Sequence, residues 1–387
     1  AAGAVTARPG RQLRGSDRHA EEVVADVGAG IAGPVTGEVL VQLPAVRRLV
    51  RGLRLSLDLR SRNVRDVLRR FAPVVMGRGV VQLLTYVELV LASLLAVGAV
   101  SALTYAQVLY LLPISLFGMA VAAAELPELS RLGRAGADAI RARLVGGMER
   151  ITFYVAPTVA IYVFAGDVVV GALLQRGEFD AADTRVVWLV LAAFALGLLA
   201  TTRSRLLQNG LYALDRSRLV ARIAVARVAL AAALGALLMF PLDRLAVVGS
   251  SIERRGDLGF SPLTDAVRLV QDAPPRLGAV GLALGAAISS WVEYRLLRGA
   301  LEWRIGKLPA MASGARWSLV AAAAAGILAA GLRAVSDGLP SLVAVVLVCG
   351  PAAAAYLAIT ATVGVPEASA LLQRVRPGAA EGARGQG

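Results

Sequence analysis

Long blocks of apolar residues constrain this chain more than any other feature of its sequence. Between Phe71 and Val363 they repeatedly approach or exceed the roughly 20 residues that an α-helix needs to cross the hydrocarbon layer of a bilayer. Only 18% of the 387 residues are charged, whereas a soluble domain carries about a quarter. Because backbone groups in lipid must satisfy their own hydrogen bonds, such blocks predict helices. The sequence therefore predicts an all-α integral membrane protein.

The apolar pattern divides the chain into three regions. Residues 1–24 are polar, arginine-rich and aperiodic, and we predict a disordered or degraded N-terminal segment over residues 1–40. Residues 24–46 are mildly apolar but interrupted by Asp26, Pro34 and Glu38, which leaves open half of a damaged ninth span. Residues 41–363 form the predicted membrane domain, and residues 364–387 form a basic tail. The domain is expected to contain eight spanning helices, at residues 71–97, 101–124, 151–165, 185–202, 219–240, 277–297, 317–335 and 341–363.

The arginines between the apolar blocks predict the orientation of the chain. The basic stretches are those before residue 71 and those at residues 124–151, 203–222 and 295–316. Cytoplasmic loops carry an excess of Lys and Arg, so we expect these stretches, and with them both termini, in the cytoplasm. The alternate loops, including the polar insertion Pro241–Arg276, are then expected on the outer side.

Composition excludes several functional classes. The net charge of +14 is spread between the apolar blocks instead of forming one basic arm with interleaved aromatics, which argues against a nucleic-acid partner. A single cysteine, Cys349, and a single histidine, His19, leave no disulfide within the chain and no set of zinc ligands. We find no arrangement of residues typical of hydrolysis, redox chemistry or nucleophilic catalysis, and predict that the protein is not an enzyme.

A proline interrupts the second predicted span. The stretch YAQVLYLLPISLFGMAVAAAELPELSR, Tyr105–Arg131, places Pro113 in mid-span and ends on polar residues around Pro127. Proline removes one backbone hydrogen bond and clashes with the preceding turn, and neighbouring helices in a membrane can compensate for this. Two interpretations remain open: a kink that serves packing, or a hinge of the kind that secondary transporters build from broken helices.

Ionisable residues inside the spans are candidates for function, because burying them in lipid is costly. Glu88 lies near the middle of the first span and needs either an arginine from a neighbouring helix or a water-filled face. Arg78 is ten residues earlier, about 15 Å along a helix axis, which is too far for a direct pair. Of the arginines around the fourth and fifth spans, only Arg227 is deep enough to line a pore.

The remaining polar and small residues of the spans have structural interpretations. Arg203, Arg205 and Arg222 are expected to be snorkelling anchors. Glu293 and Arg295 are expected at the inner interface of the sixth span. Glycines on one face of that span predict close helix packing and not a phosphate-binding loop; they are Gly278, Gly281 and Gly285.

Several stretches, in order, resemble the MurJ/MviN-type lipid II flippases, a family within the superfamily of multidrug and oligosaccharidyl-lipid exporters. FAPVVMGRGVVQLLTYVELVLASLL and GAVSALTYAQVLYLLPISLFGMAVAAAELPELSR resemble the seventh and eighth helices of the family. LLQRGEFDAADT, LQNGLYALDRSR and GLALGAAISSWVEYRLL resemble later segments, and QLPAVRRL resembles the end of the sixth helix. The resemblance covers about Val41–Val363.

The resemblance implies a transporter that moves undecaprenyl-linked peptidoglycan precursor across the bacterial inner membrane by alternating access. The family has fourteen helices in two lobes, and this chain is expected to supply the second lobe plus two C-terminal helices. The first lobe, with its cationic substrate site, is not expected in this chain. A partner chain or a first lobe would then be needed to complete the cavity, and we expect the isolated chain not to rescue cells depleted of their own lipid II flippase.

The resemblance also implies roles for individual residues. Glu88 matches an acid that contributes to a cation site coupled to transport; the coupling ion is left open between Na⁺ and H⁺, and no other cofactor is expected. Arg78, Gln107 and Arg227 are the candidate substrate-binding residues, although the YADRL of the family reads YAQVL here and lacks both the acid and the arginine. Pro113 and Gly118 are the candidate hinge.

Three functions therefore remain in view. The first is flipping of lipid II, with the lipid-linked precursor and membrane lipids as partners. The second is export of another lipid-linked polysaccharide or of a drug. The third is a membrane scaffold that does not transport.

Overall fold

Helices make up most of the structure, a computed structural model, and they overlap the predicted spans. The structure describes residues 83–119, 121, 125, 136–249, 251–257, 259–270, 273–309, 311, 313–336 and 338–375. Arg78, the predicted N-terminal segment, the start of the first span and the tail beyond residue 375 lie outside the described residues. All described residues belong to one compact unit, Arg70–Gly387.

The described elements are, in chain order, helices joined mostly by short turns. Helix α1 is described over Leu83–Ala92, and α2 covers Ala99–Pro113 and continues as a π-helical stretch over Ile114–Met119. There follow α3 (Ala137–Leu174), α4 (Ala181–Ala213), α5 (Ser217–Leu242), strands β1 (Leu245–Val248) and β2 (Ser251–Arg254), and α6 (Asp265–Arg268). The chain ends with α7 (Gly278–Ile305), α8 (Ser313–Val335), α9 (Ser341–Thr362) and α10 (Pro366–Val375).

The predicted all-α membrane class is confirmed, and the number of spans stays a prediction. Six helices of the described residues are long and apolar enough to cross a membrane; they are Ala99–Phe117, α3, α4, α5, α8 and α9. Helix α7 has 28 residues, enough to span at 1.5 Å per residue, but its second half carries five charged side chains. The antiparallel β1–β2 hairpin in the insertion Pro241–Arg276 was not predicted.

Several helices are longer than the spans that hydropathy indicates. Helix α3 has 38 residues and begins at Ala137, inside the stretch expected to be a basic loop. Ala165, with φ −146° and ψ 27°, breaks the helical geometry at the residue where the third predicted span ends. The chain instead continues as a kinked extension to Leu174. Likewise, α10 occupies the start of the predicted basic tail.

Helix α7 packs in the middle of the bundle against α4 and α5. Gly281 and Gly285 lie directly against the α5 backbone: a Cβ atom on either would lie 2.6 Å from the backbone nitrogen of Met239 or Gly235, respectively. The predicted packing role of these two glycines is therefore confirmed. Gly278 instead adjoins the side chain of Asp243 at the end of α5.

We expect Gly285→Ala to destabilise the bundle, because the added methyl group would clash with backbone atoms of α5. Backbone atoms cannot rotate out of the way as a side chain can. Overpacking of this kind typically costs about 1–3 kcal/mol. Gly299→Ala on the same helix is the matched control, since a methyl group at that position would meet no neighbouring helix or side chain within 4 Å. The control should be neutral or slightly stabilising, because alanine favours helix over glycine. The measurement is the temperature at which each purified variant loses its monodisperse peak in detergent; equal temperatures for the two variants would contradict the packing argument.

Candidate functional site

The second helix changes its winding at the predicted hinge. Pro113 lies buried at the end of the regular part of α2, and the next six residues, Ile114–Met119, are π-helical. A proline removes a backbone donor, and π-helical turns occur mostly as local insertions inside α-helices, frequently at functional sites. Gly118 lies within this stretch. The local geometry is thus irregular where a hinge was expected, and the hinge itself stays a prediction.

Glu88 and Gln107 meet inside the bundle. The Gln107 amide Nε2 donates a hydrogen bond of 2.7 Å to Oε2 of Glu88, linking α1 to α2. Only 7% of Glu88 is exposed, so its carboxylate faces neither lipid nor open solvent. Among the described residues its direct hydrogen-bond partner is this amide, and the direct pairing with an arginine, one of the two alternatives that the sequence left open, is not found there. Two residues predicted to serve coupling and substrate binding separately therefore form one contact.

Arg227 forms the second contact of the site, with a glutamate of α7. Its Nη1 atom lies 2.8 Å from Oε2 of Glu293, and its Nη2 atom donates to the Ser290 hydroxyl at 3.2 Å. Gln208 of α4 donates to the other carboxylate oxygen of Glu293 at 3.0 Å. Glu293 is 1% exposed, so the expectation that it lies at the interface was wrong.

Hydroxyl groups extend the Arg227 contact to α2. Tyr110 of α2 donates to Thr201 of α4 at 3.0 Å, and Thr201 donates to Ser290 of α7 at 3.1 Å. The positive charge of Arg227 acts on both the Glu88 carboxylate and the Tyr110 hydroxyl. Hydrogen bonds thus link α2, α4, α5 and α7, and the charge of Arg227 acts on the Glu88–Gln107 contact between α1 and α2. We call these residues together the polar network.

Sequence reasoning missed the α4 and α7 members of this network, although a signal was present. Thr201 and Gln208 are seven residues apart, and Ser290 and Glu293 are three apart, so each pair lies on one face of its helix. Polar residues that repeat at this spacing within apolar helices mark a buried polar face. Hydropathy alone averages over such a face and does not reveal it.

A second buried arginine lies elsewhere in the bundle. Arg203 of α4 is 4% exposed, so it does not snorkel to an interface as expected. The Arg203 Nε atom donates to the Thr152 hydroxyl of α3 at 3.2 Å. The side chain of Tyr294 in α7 is a second hydrogen-bond partner of Arg203. This arrangement fixes α3, α4 and α7 to one another through hydroxyl groups.

Two salt bridges fix the residue that follows the second predicted span. The Glu125 carboxylate is buried and bonds to both Arg143 and Arg150 of α3, the latter at 2.9 Å. Glu125, the first residue of the polar stretch ELPELSR, thus supplies a pairing group. The pair of arginines ties this point of the chain to the N-terminal half of α3.

The polar network contains groups that can change their charge. It combines two carboxylates, one guanidinium and several hydroxyl and amide groups that can donate or accept. Ionisable groups at such depth are expensive to bury and typically mark ion or substrate pathways. An arrangement of this kind can bind or release a cation or a proton and can link that event to the relative positions of five helices.

This chain is similar to known proteins of one family. Residues 17–252 match the family model described as lipid II flippase MurJ. A probable lipid II flippase MurJ of Rhizobium tropici is 32% identical over 211 residues, covering 52% of this chain and 39% of that protein. The protein of the same description from Rhizobium meliloti is 29% identical over 283 residues, covering 72% of this chain and 46% of that protein.

A solved structure supports the same fold. The chain superposes on a lipid II flippase MurJ in an inward closed conformation with a TM-score of 0.55 at 15% identity. The match covers 86% of this chain and 59% of the solved chain. This chain therefore spans less than half the length of the two Rhizobium relatives and about three fifths of the solved structure.

Proposed function

The chain belongs to the MurJ family of lipid II flippases, and from that membership we propose that it forms the helical bundle that couples an ion to the flipping of lipid II across the bacterial inner membrane. Family membership and six apolar helices support a multi-pass inner membrane protein. The relatives it matches are flippases, which are transporters and not enzymes. The proposed orientation, with both termini in the cytoplasm, rests on the arginine-rich loops.

The observation that carries this proposal is the polar network between Glu88 and Glu293. A carboxylate buried between apolar helices is costly, and here Gln107 donates a hydrogen bond to it and the charge of Arg227 acts on it. Uptake or release of Na⁺ or H⁺ at Glu88 would change the balance of charge around Arg227. Because Arg227 and its partners sit on different helices, that change would favour a different helix arrangement, which is the basis of alternating access.

Substrate contact is proposed on the same face of the bundle. Arg227 and Gln107 are both engaged with carboxylates in this conformation, so they would have to exchange these partners to meet a diphosphate. A guanidinium suits that role because it forms charge-assisted, bidentate bonds to phosphate. The π-helical stretch after Pro113 would allow α2 to rotate during the exchange.

A membrane scaffold without transport is the second candidate. Gln107 and Val108 stand where the family resemblance leads one to expect an acid and an arginine. The loss of a fixed cation removes a strong contact to a diphosphate. This observation favours a bundle that keeps the family fold without handling the substrate.

A complementation experiment separates the two candidates. The chain is expressed in cells depleted of their own lipid II flippase, alone and fused behind the part of the Rhizobium meliloti relative that precedes the matched region. We expect the fusion to restore growth and the appearance of lipid II on the outer face, and the chain alone not to do so. A fusion that reaches the membrane in normal amount without exporting lipid II would support the scaffold and contradict the flippase proposal.

A further inference from the structure

Arg203 is a buried cation whose described hydrogen-bond partners are neutral. Only 4% of it is exposed, and its Nε and Nη2 atoms both donate to the Thr152 hydroxyl. The Tyr294 hydroxyl also accepts from Arg203, and the same hydroxyl accepts from Arg298. Arg298 has a carboxylate partner of its own, Glu302. Two guanidinium groups therefore share one hydroxyl, and only the more exposed of them forms a described ion pair.

Two other arginines of low exposure contrast with Arg203. Arg227 pairs with Glu293, and the charge of Arg276 acts on the buried carboxylate of Asp243. A guanidinium keeps its proton in proteins, so Arg203 cannot avoid the cost of burial by becoming neutral. Buried charges are normally paired, because leaving one unpaired is expensive. The surroundings of Arg203 thus lack an anion among the residues that the structure describes.

A small pocket adjoins the Arg203 side chain. Its volume is about 10 Å³, which is room for about one water-sized particle. The rest of its wall is largely apolar and includes Val145, Met148, Pro309 and Met311. A halide ion is little larger than a water molecule, whereas a phosphate or carboxylate group has several heavy atoms. The pocket therefore suits a monoatomic anion.

One carboxylate also borders this pocket, and its hydrogen bond directs it to a helix end. Glu149 accepts the backbone N–H of Gly314 in the first turn of α8, where the helix dipole stabilises a negative charge. The side chains whose charge acts on Arg203 are Tyr294 and Arg298. Glu149 therefore stabilises the start of α8 and does not act as the counter-charge of Arg203.

A larger cavity, of about 820 Å³, gives access to the pocket. The two share part of their lining, namely Val145, Glu149 and Pro309. The larger cavity also carries Lys307, which is exposed, and Arg141, which pairs with Asp138. These residues belong to the basic stretches 124–151 and 295–316, which the arginine distribution assigns to the cytoplasm. An anion from that side can reach Arg203, and Lys307 would attract it.

We propose that the pocket at Arg203 binds a monoatomic anion such as chloride from the cytoplasm. The anion would supply the missing counter-charge where α3, α4 and α7 meet, and would thereby stabilise the packing of these helices. None of the residues that line the pocket belongs to the polar network. The site is therefore separate from the proposed coupling site and does not depend on the proposed function.

The test measures how halide ions change the stability of the purified chain. The temperature of aggregation in detergent is recorded while sodium chloride or sodium bromide replaces sodium gluconate at constant ionic strength. A ligand that binds only the folded state stabilises it in proportion to the logarithm of its concentration above its dissociation constant. We expect both halides to raise the temperature, by about 2–4 °C for each tenfold increase in that range.

Three variants assign the effect to Arg203. Arg203→Met and Arg203→Gln should both lose the halide dependence, and Arg203→Gln can still donate a hydrogen bond to Thr152. In gluconate we expect Arg203→Met to be at least as stable as the unmodified chain, because no uncompensated charge remains. Arg141→Met, in the larger cavity, is the matched control and should keep the full halide dependence.

The anion site is rejected if the unmodified chain aggregates at the same temperature in halide and in gluconate. It is also rejected if either neutral variant of Arg203 keeps the rise, because the halide would then act elsewhere. The measurement requires no transport. A halide effect that depends on Arg203 in a chain that fails to export lipid II would keep this site and reject only the proposed function.

Discussion

Glu88→Gln is expected to abolish lipid II export by the fusion protein while leaving its amount in the membrane unchanged. Glutamine has nearly the size of glutamate, and its carbonyl oxygen can still accept the 2.7 Å hydrogen bond from Gln107. The contact between α1 and α2 therefore survives. The group that can gain or lose a charge is removed, and with it the proposed coupling. Export is measured as lipid II on the outer face, and abundance by immunoblot of washed membranes.

Glu125→Gln is the matched control for that experiment. Glu125 is as buried as Glu88, but it bonds directly to two arginines of α3 and lies outside the polar network. Its neutralisation leaves those arginines without their counter-charge, so abundance should fall while export per molecule is retained. If Glu88→Gln instead lowers abundance and export in the same proportion, Glu88 serves packing and the coupling proposal fails.

Hydropathy predicted where the helices lie better than where they end. The spans at 219–240 and 341–363 agree with α5 and α9 within a few residues, because both helices end near the apolar limit. Helix α3 starts fourteen residues before the predicted span at residue 151. Its buried residues Ile140, Leu144 and Met148 continue the helical period through a stretch that also contains arginines. A helix that extends beyond the apolar layer while still packed on its neighbours keeps the helical spacing of its buried residues. Its mean hydropathy falls, because the exposed positions between them become charged.

Several residues of the candidate site were predictable from the sequence, but the contacts between them were not. Glu88, Gln107 and Arg227 stood out because ionisable or polar groups in apolar spans are costly. The bond between Glu88 and Gln107 depends on how α1 and α2 fold back on each other around the turn at residues 93–98, which no spacing rule specifies. Glu293 was misplaced because the apolar run ends near it, whereas α7 continues to Ile305 and buries it.

Breaking the Arg227–Glu293 pair from either side should deplete the protein from the membrane. In Arg227→Met, Gln208 is the one described donor left to the Glu293 carboxylate. In Glu293→Leu, Ser290 is the one described partner left to the Arg227 guanidinium. Leaving one charge of a buried pair uncompensated typically costs about 3–5 kcal/mol. That loss is a large part of the stability of an ordinary domain, about 5–15 kcal/mol. Abundance in washed membranes and the temperature of aggregation in detergent are the measurements.

The double variant Arg227→Met with Glu293→Leu separates stability from transport. It removes both charges and keeps side-chain volume, and such replacements of buried pairs are often neutral or stabilising. We expect abundance to recover but export to stay absent, because the charge of Arg227 no longer acts on Glu88 and Tyr110. Arg141→Met, which breaks an exposed pair with Asp138 on α3, is the control and should change stability by at most about 1 kcal/mol. A double variant that exports lipid II normally would remove Arg227 from the mechanism, and one as scarce as the single variants would show that the two charges do not compensate each other.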